Sequence, residues 1–441
     1  MTAICVAVSL GCIFRVVQIF SLNNDRSFQV DEGFYHESPN SLDAVYIGAS
    51  NVYVGWIAPF AWRDHGIAVW SYSDSYMNAK VYPFQIAEIH KTQPDALLII
   101  NLNGFKSLKV PDQTLHRSTN YMRFSRNKLN MIYSLTEEAG LTGLEKLQYY
   151  FPVIRFHSRW SQLDNWDFTH TINGYKTGPI YNAYFTRMQD ITENYEITDS
   201  KEELTEDQKI FLDEFIDYLY QYDQKILFVL SPQAFKTNSE TYKQLNQMGR
   251  IVQEHGYDYL NMLDIIDDIN IQTSTDFYND KHTNVHGAIK YTDYLAQYLV
   301  DNYGFTDKRG QPGWESWDES VALYTEEIAP YSLPLEREHA PRDYELQAPV
   351  LNKVKVKNQT LTLSWKESPD AEGYDIYRKS NISGEQNWTY LTSTESDTLQ
   401  YVDSDLQSGK NYTYTVVPKK LENGVEVYGN FDFTGVTKTT K

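Results

Sequence analysis

Cysteine is nearly missing from this chain of 441 residues: there are two, Cys5 and Cys12, and both lie in the first apolar stretch. The rest of the chain therefore has no thiol for a disulfide framework, a cysteine-ligated metal or a cysteine nucleophile. A cysteine-free body is compatible with an oxidising exterior without requiring one. Positive charge is also short, with 39 Lys and Arg against 59 Asp and Glu and a formal net charge of -20. No segment supplies the basic stripe that phosphate binding needs, which argues against nucleic acid as a partner. Long apolar runs are confined to residues 1–22. What the chain does have is 41% hydrophobic and 15% aromatic residues, too much apolar surface for a disordered chain. Its length suits two or three domains of about 100–200 residues.

Met1 to Leu22 is apolar apart from Arg15 and a few small polar residues, and polarity begins sharply at Asn23-Asn24-Asp25. A helix of this length just spans a hydrocarbon core of ~30 Å, with Arg15 snorkelling outward. Residues 1–22 are thus expected to be an N-terminal membrane anchor, or a signal segment that lacks the usual basic n-region. The protein would sit outside the cytoplasm, anchored to the cell membrane or secreted if the segment is cleaved. Ser9-Leu10-Gly11-Cys12 faintly resembles a lipoprotein cleavage box, but Ile13, Phe14, Val16 and Val17 continue the apolar run where a mature lipoprotein turns polar. A buried amphipathic helix is the competing reading, and few polar positions interrupt the run to support it.

Ala44-Val45-Tyr46-Ile47 is a short apolar run ended by Gly48-Ala49-Ser50-Asn51. Gly66 to Trp70 and Ala96 to Ile100 repeat the pattern, the second followed by Asn101-Leu102-Asn103-Gly104. Helical spacing over Lys80 to Lys91 lies between them. Further on, Glu203 to Tyr222 predicts a helix, Lys225 to Leu230 and Tyr257 to Leu260 predict strands, and His286 to Tyr303 predicts a last helix. Continuous apolar strands alternating with helices are expected of an α/β fold with a doubly wound, mainly parallel sheet covered on both faces. Residues 302–347 are rich in Pro, Gly, Glu and Trp, with one helix expected around Trp314 to Ile328. The expected divisions are 23–335 for the α/β domain, 336–347 for a linker and 348–441 for a second domain.

From Ala348 the texture changes to β-branched residues alternating with polar ones, as in Thr360 to Trp365, Gly373 to Arg378 and Asn411 to Val417. Period-two strands punctuated by turns predict an all-β sandwich. Trp365, the Gly373-Tyr374-Asp375-Ile376-Tyr377 run, the Leu406 to Gly409 turn and Tyr412 resemble a fibronectin type III domain.

A serine after a buried strand of an open α/β sheet stands where such sheets bind their ligands. Ser50 is in that place. It becomes a nucleophile only if a base removes its proton, and the segment Asp276-Phe277-Tyr278-Asn279-Asp280-Lys281-His282, ahead of the last helix, is the supplier. The two motifs together resemble the SGNH (GDSL-like) hydrolases and acyltransferases, in particular a membrane-anchored bacterial branch. That branch carries Gly-Ser-Ser-His after the first strand and Asp-Phe-Tyr…His-x-Asn-x-x-Gly-x-x-Lys-x-Thr near its end. Here these read Gly48-Ala49-Ser50-Asn51 and Asp276-Phe277-Tyr278…His282-Thr283-Asn284-Val285-His286-Gly287-Ala288-Ile289-Lys290-Tyr291-Thr292. The Arg155 to Trp160 run and the stretch from His116 to Lys128 share the likeness, which covers about 40–330.

The resemblance implies a flavodoxin-like sheet, Ser50 as nucleophile and His282 as general base. Oxyanion donors would be the Ser50 N–H, a backbone group near Ser73, and Asn103. Two departures matter. The family places an aspartate three residues before the histidine, and here that position is Asn279. Asp280 is the favoured replacement as orienting residue, with Asp276 and Asn279 as alternatives. Asn51 stands where the branch often has histidine.

Arg155, His157, Arg159 and Trp160 are candidates for binding an anionic or sugar ligand, since guanidinium groups match carboxylates and indoles stack on sugar rings. A polar cluster that merely fastens this insert is the other reading. His282 and His286 have an i, i+4 spacing but no third ligand, so no metal or other cofactor is expected. The function implied is an extracytoplasmic serine esterase or O-acyltransferase acting on a cell-envelope or surface glycan. The resemblance adds a multi-pass membrane acyltransferase as partner. The alternative is a non-catalytic relative serving as a surface binding or scaffold protein.

Overall fold

The computed structural model describes residues 24–172, 200–234, 240–272, 276–339 and 344–440 apart from isolated positions, with parts of 9–22, Gly174 and Lys176. Its described residues form two compact units, one reaching to Leu323 and one from Tyr324 onward.

The first unit is built on a five-stranded sheet: β1 (Ala44–Gly48), β2 (Val69–Ser73), β3 (Leu97–Asn101), β4 (Ile226–Leu230) and β5 (Asp258–Asn261). The order is β2-β1-β3-β4-β5 and every pairing is parallel. Each residue of β1 to β4 is buried, so runs such as Ala44-Val45-Tyr46-Ile47 have no polar face to alternate with. The second strand starts three residues later than its apolar run predicts. Gly66 adopts a left-handed conformation that closes the preceding helix, and a Cβ there would fall 1.9 Å from an Asp307 carboxylate oxygen. The strand instead continues through Ser71 to Ser73, whose hydroxyls bond each other at 2.7 Å and so tolerate burial.

Helix α1 (Arg26–His36) begins at Asp25, whose carboxylate caps the Phe28 N–H, and its Phe34 stacks on Tyr72 of β2. Helices α2 (Ser50–Gly55) and α3 (Ala58–His65) follow β1, and α4 (Tyr82–Thr92) links β2 to β3. Between β3 and β4 the chain makes an insert with α5 (Asp112–Thr119), α6 (Arg126–Glu138), α7 (Gly143–Tyr150) and α8 (Val153–Phe156). It returns through α9 (Glu206–Leu219), opened by a reciprocal Thr205–Gln208 capping box. After β4 come α10 (Glu240–Glu254), β5, and a short hairpin of β6 (Phe277–Asn279) and β7 (His282–Thr283). Helix α11 (Val285–Tyr303), capped by Asn284 and ended by Gly304, packs on α2 and α3. Helix α12 (Glu315–His339) extends beyond the expected Ile328 into residues 336–339 of the expected linker, and its first part, to Leu323, belongs to this unit.

The second unit is antiparallel. One sheet has the order β11-β10-β13-β14, with β15 on β13, and the other is β12-β9-β8. The strands are β8 (Lys355–Lys357), β9 (Thr360–Ser364), β10 (Gly373–Ser380), β11 (Thr389–Glu395), β12 (Gln400–Asp403), β13 (Asn411–Glu422), β14 (Val425–Tyr428) and β15 (Val436–Thr439). Leu361 and Leu363 of β9 point into a core with Trp365, Tyr374, Ile376, Tyr412, Tyr414 and Val416, while Thr360, Thr362 and Ser364 alternate with them.

No helix among the described residues is long and apolar enough to cross a membrane. Most of the segment expected to do so, Met1 to Leu22, lies outside the described residues.

Candidate functional site

In a sheet of order 2-1-3-4-5 the chain leaves β1 toward one side and β3 toward the other, opening a crevice at their carboxyl ends. Ser50 and Asn103 both follow those ends. Gly48 closes β1, and a Cβ there would lie 2.3 Å from Val52 and 2.9 Å from the Asn101 Cβ. Glycine at this position lets α2 fold straight back over the strand, with Ser50 as its first residue.

His282 reaches Ser50 from the β6–β7 hairpin. Asn279 and His282 are directly paired across it, with Asp280 and Lys281 forming the turn. Asn279 Oδ1 accepts three hydrogen bonds: from the backbone N–H of Lys281 (2.9 Å), from that of His282 (3.0 Å), and from His282 Nδ1 (2.9 Å). The two backbone donors fix which end of the carboxamide faces the ring, so the ring proton sits on Nδ1. Nε2 is then a lone-pair acceptor, and Ser50 Oγ donates to it at 2.7 Å. Burial, then the Lys281 charge, and to a lesser degree Lys106, hold the imidazole pKa down to about 4, with Asp280 opposing them. The ring is neutral at physiological pH, as a proton acceptor must be.

The expectation that Asp280 orients the histidine is corrected. Its side chain is at the exposed turn and acts on the ring only as a nearby charge, while its carbonyl accepts the Ala234 N–H at 3.1 Å. Asp276 is fully buried, ion-paired with Lys290 at 2.7 Å and accepting the Gln272 N–H at 2.8 Å. It fastens the hairpin to α11. The position facing Nδ1 belongs to Asn279 because cross-strand partners in a tight hairpin face the same side.

Ser73 ends β2 directly opposite Gly48, the last residue of β1, two positions before Ser50 in the chain. Asn103 lies in a 3-10 turn, Leu102–Phe105, after β3. It is 7% exposed, and neither its side-chain oxygen nor its nitrogen has a hydrogen-bond partner among the described residues. A buried amide costs free energy unless paired, so an unpaired one beside the nucleophile strand is suited to a group that arrives during reaction.

Sequence reasoning overlooked Asn101. Its Oδ1 accepts the Asn103 N–H and the Asn51 amide, each at 3.0 Å, and its Nδ2 donates to Tyr46 OH (3.2 Å) and Ser231 Oγ (2.5 Å). The Tyr46 hydroxyl in turn meets that of Tyr291 at 2.6 Å. One fully buried carboxamide thereby ties the helix carrying Ser50 to the turn carrying Asn103. Its signal in the sequence was an amide closing an otherwise apolar strand. Lys106, also overlooked, donates to Gln233 at 2.7 Å, and burial brings its pKa down to about 8.

Arg155, His157, Arg159 and Trp160 are not brought to this pair: none makes a hydrogen bond or ion pair with Ser50 or His282 among the described residues. Arg155 faces Asp112 at 3.9 Å, and His157 Nδ1 bonds the Ile154 carbonyl at 2.7 Å. Arg159 is a clamp, ion-paired with Asp167 at 2.6 Å and donating to the carbonyls of Phe20 (3.0 Å) and Leu22 (2.6 Å). Trp160 is 71% exposed. Among the described residues no group of three or more His, Cys, Asp or Glu is placed to hold a metal ion.

No family model matches the chain, and no curated protein matches it. Solved structures similar to it include the domain named FN3tt, 24% identical, covering 21% of this chain and 96% of that one with a TM-score of 0.16. The fn3 domain of human collagen alpha-1(XX) chain is 18% identical over 23% of this chain and 90% of that one, with a TM-score of 0.18. A beta-1,2-glucanase from Parabacteroides distasonis is 23% identical over 23% of this chain and 13% of that one, with a TM-score of 0.19.

Proposed function

We propose that the first unit is an SGNH-type hydrolase domain and that the protein is an extracytoplasmic serine esterase or O-acyltransferase acting on a cell-envelope or surface glycan. The observation that carries this reading is the 2.7 Å hydrogen bond from Ser50 Oγ to a neutral His282 Nε2, with the opposite ring nitrogen held by Asn279. On attack by Ser50 Oγ at an ester carbonyl, its proton passes to His282 Nε2. The carbonyl oxygen takes up the charge, and the Asn103 amide supplies a donor to it. Expulsion of the alcohol, protonated by His282, leaves an acyl-serine. Water or a sugar hydroxyl then attacks the acyl-serine, giving up its proton to His282, and His282 returns that proton to Ser50 Oγ as the acyl group leaves as a free carboxylic acid or as an ester of the glycan.

For the second unit we propose a fibronectin type III sandwich. Supporting it are the two antiparallel sheets, Trp365 packed edge-on against Tyr374 with ring centres 5.6 Å apart, and Tyr412 OH accepting the Gln407 N–H at 3.0 Å. A tyrosine bonding back to the chain just upstream of its own strand is a fixture of such sandwiches.

The test is labelling of the full chain with a fluorophosphonate probe and identification of the modified peptide. The reading expects the label on Ser50 and its loss in Ser50→Ala. If Ser50 stays unlabelled, the acyl-serine mechanism fails, and the non-catalytic alternative, which Asn279 in place of an aspartate favours, takes its place.

A further inference from the structure

The insert between β3 and β4 carries an amphipathic helix turned outward. Helix α7 buries a single side chain, Tyr149, whose hydroxyl donates to Asp112 at 2.6 Å and meets His116 at 3.2 Å. Its leucines are outside: Leu144 is 75% exposed and Leu147 39%. At about 100° per residue they lie within about 60° of each other and about 140–160° from Tyr149. Further along the same stretch of chain Phe151 and Ile154 are 55% and 41% exposed, and Trp160 and Phe168 71% and 53%. Soluble surfaces seldom expose so many large apolar side chains within one short stretch of chain.

Two observations indicate what covers them. First, the end of the apolar N-terminal segment is fastened to this same piece of structure. Arg159 donates to the Phe20 and Leu22 carbonyls, and Arg15 donates to the carbonyl of Phe168. Second, residues 143–172 hold three basic residues (Lys146, Arg155, Arg159) and three acidic ones (Glu145, Asp164, Asp167), in a chain whose net charge is -20. With no net formal charge, this stretch meets no net repulsion from a bilayer that contains anionic lipid, whereas the acidic remainder of the chain would.

We propose that α7, α8 and the stretch from Trp160 to Phe168 lie in the interface of a lipid bilayer, beside the point where residues 1–22 enter it. The proposal rests on the reading of residues 1–22 as a membrane segment. Leucine and phenylalanine enter the acyl boundary, Trp160 sits at headgroup level, and Arg155 and Lys146 stay on the water side. The arrangement sets the orientation of the α/β unit on the membrane, which a single flexible anchor does not.

The experiment uses the full chain in phosphatidylcholine vesicles with a fluorophore on one cysteine at a time and doxyl lipids as quenchers. Phe151→Cys and Leu147→Cys, each with Cys5→Ser and Cys12→Ser, report the face. Glu254→Cys in the same background is the control, because Glu254 is an exposed residue of α10. Cys12, exposed and free, reports the segment itself when Cys5 alone is replaced. The proposal expects labels at 147 and 151 to be quenched several-fold more than at 254. A quenched Cys12 label with 147 and 151 no different from 254 overturns the proposal and leaves the anchor standing. If the Cys12 label also escapes quenching, the anchor reading fails and the proposal with it. A label at 151 that becomes shielded without lipid as protein concentration rises assigns the face to a second copy and overturns the lipid assignment.

Discussion

Asn279→Asp replaces a neutral acceptor beside His282 with a charged one, and activity should rise. The carboxamide already holds the imidazole in the productive tautomer, so what the site lacks is a negative charge facing the imidazolium that forms as Ser50 loses its proton. Two unit charges at about 4 Å and an effective dielectric near 20 interact by about 4 kcal/mol. The hairpin is half-buried, so about half of that survives solvent screening, or ~2 kcal/mol and roughly 30-fold in rate. The same charge favours the protonated ring, so the acid limb of the rate profile should move up by about one and a half pH units from its position near the present pKa of about 4. The assay is the second-order rate of fluorophosphonate labelling, with aryl acetate hydrolysis beside it, from about pH 4 to 9. A variant within about twofold of the parent, with its acid limb unmoved, would refute the assignment of Asn279 Oδ1 as the partner of His282 Nδ1.

Asn103→Ala should cost about 10²–10³ in kcat if its amide serves the oxyanion. Because neither side-chain polar atom is paired among the described residues, calorimetry should show no loss of stability and a gain of up to about 1 kcal/mol; a falling Tm with intact kcat would make it structural. Asn101→Ala leaves the Asn51 amide, the Asn103 N–H and two hydroxyls short of a partner, so urea titration should show a loss of about 2–4 kcal/mol, with Ser50 labelling slowed alongside. Asp276→Ala strands the Lys290 ammonium and should cost about 3–5 kcal/mol, read the same way. For His282, the folded pKa near 4 lies below the ordinary 6.5, so the unfolded chain binds more protons between these values. Its contribution, up to about 3 kcal/mol, is present above pH 6.5 and is lost as pH falls toward 4; His282→Ala should flatten that slope in denaturant melts.

Much of the local structure could be read along the chain. The runs at Ala44, Ala96 and Lys225 lack polar interruptions because the strands are covered on both faces, and that is visible without neighbours. The helices over Tyr82–Thr92 and Val285–Tyr303 followed from their spacing. The second strand was displaced because Gly66 reads like the start of a run, whereas its left-handed backbone, with its N–H on the Trp62 carbonyl, makes it the terminus of the preceding helix. Within the site, a chain reading could name Ser50 and His282 as residue types able to react, but not the member facing Nδ1. Charge favoured Asp280, and the hairpin register chose Asn279. In the insert, the sequence left Arg159 between ligand binding and fastening, and its hydrogen bonds to the Phe20 and Leu22 carbonyls and its ion pair with Asp167 are those of a fastener.

By itself, then, the sequence determined which stretches become buried strands, which become helices, and where the texture changes to alternating β-strands, because those depend on the periodicity of near neighbours. Only the tertiary structure decided what meets what. Ser50 and His282 are 232 positions apart, and they come to 2.7 Å because the parallel order of the sheet lines up its carboxyl ends and the hairpin before α11 folds over them. Asn101 became a hub for the same reason. Its four hydrogen bonds reach three other segments of the chain, and no local pattern encodes a contact whose partners are chosen by strand order.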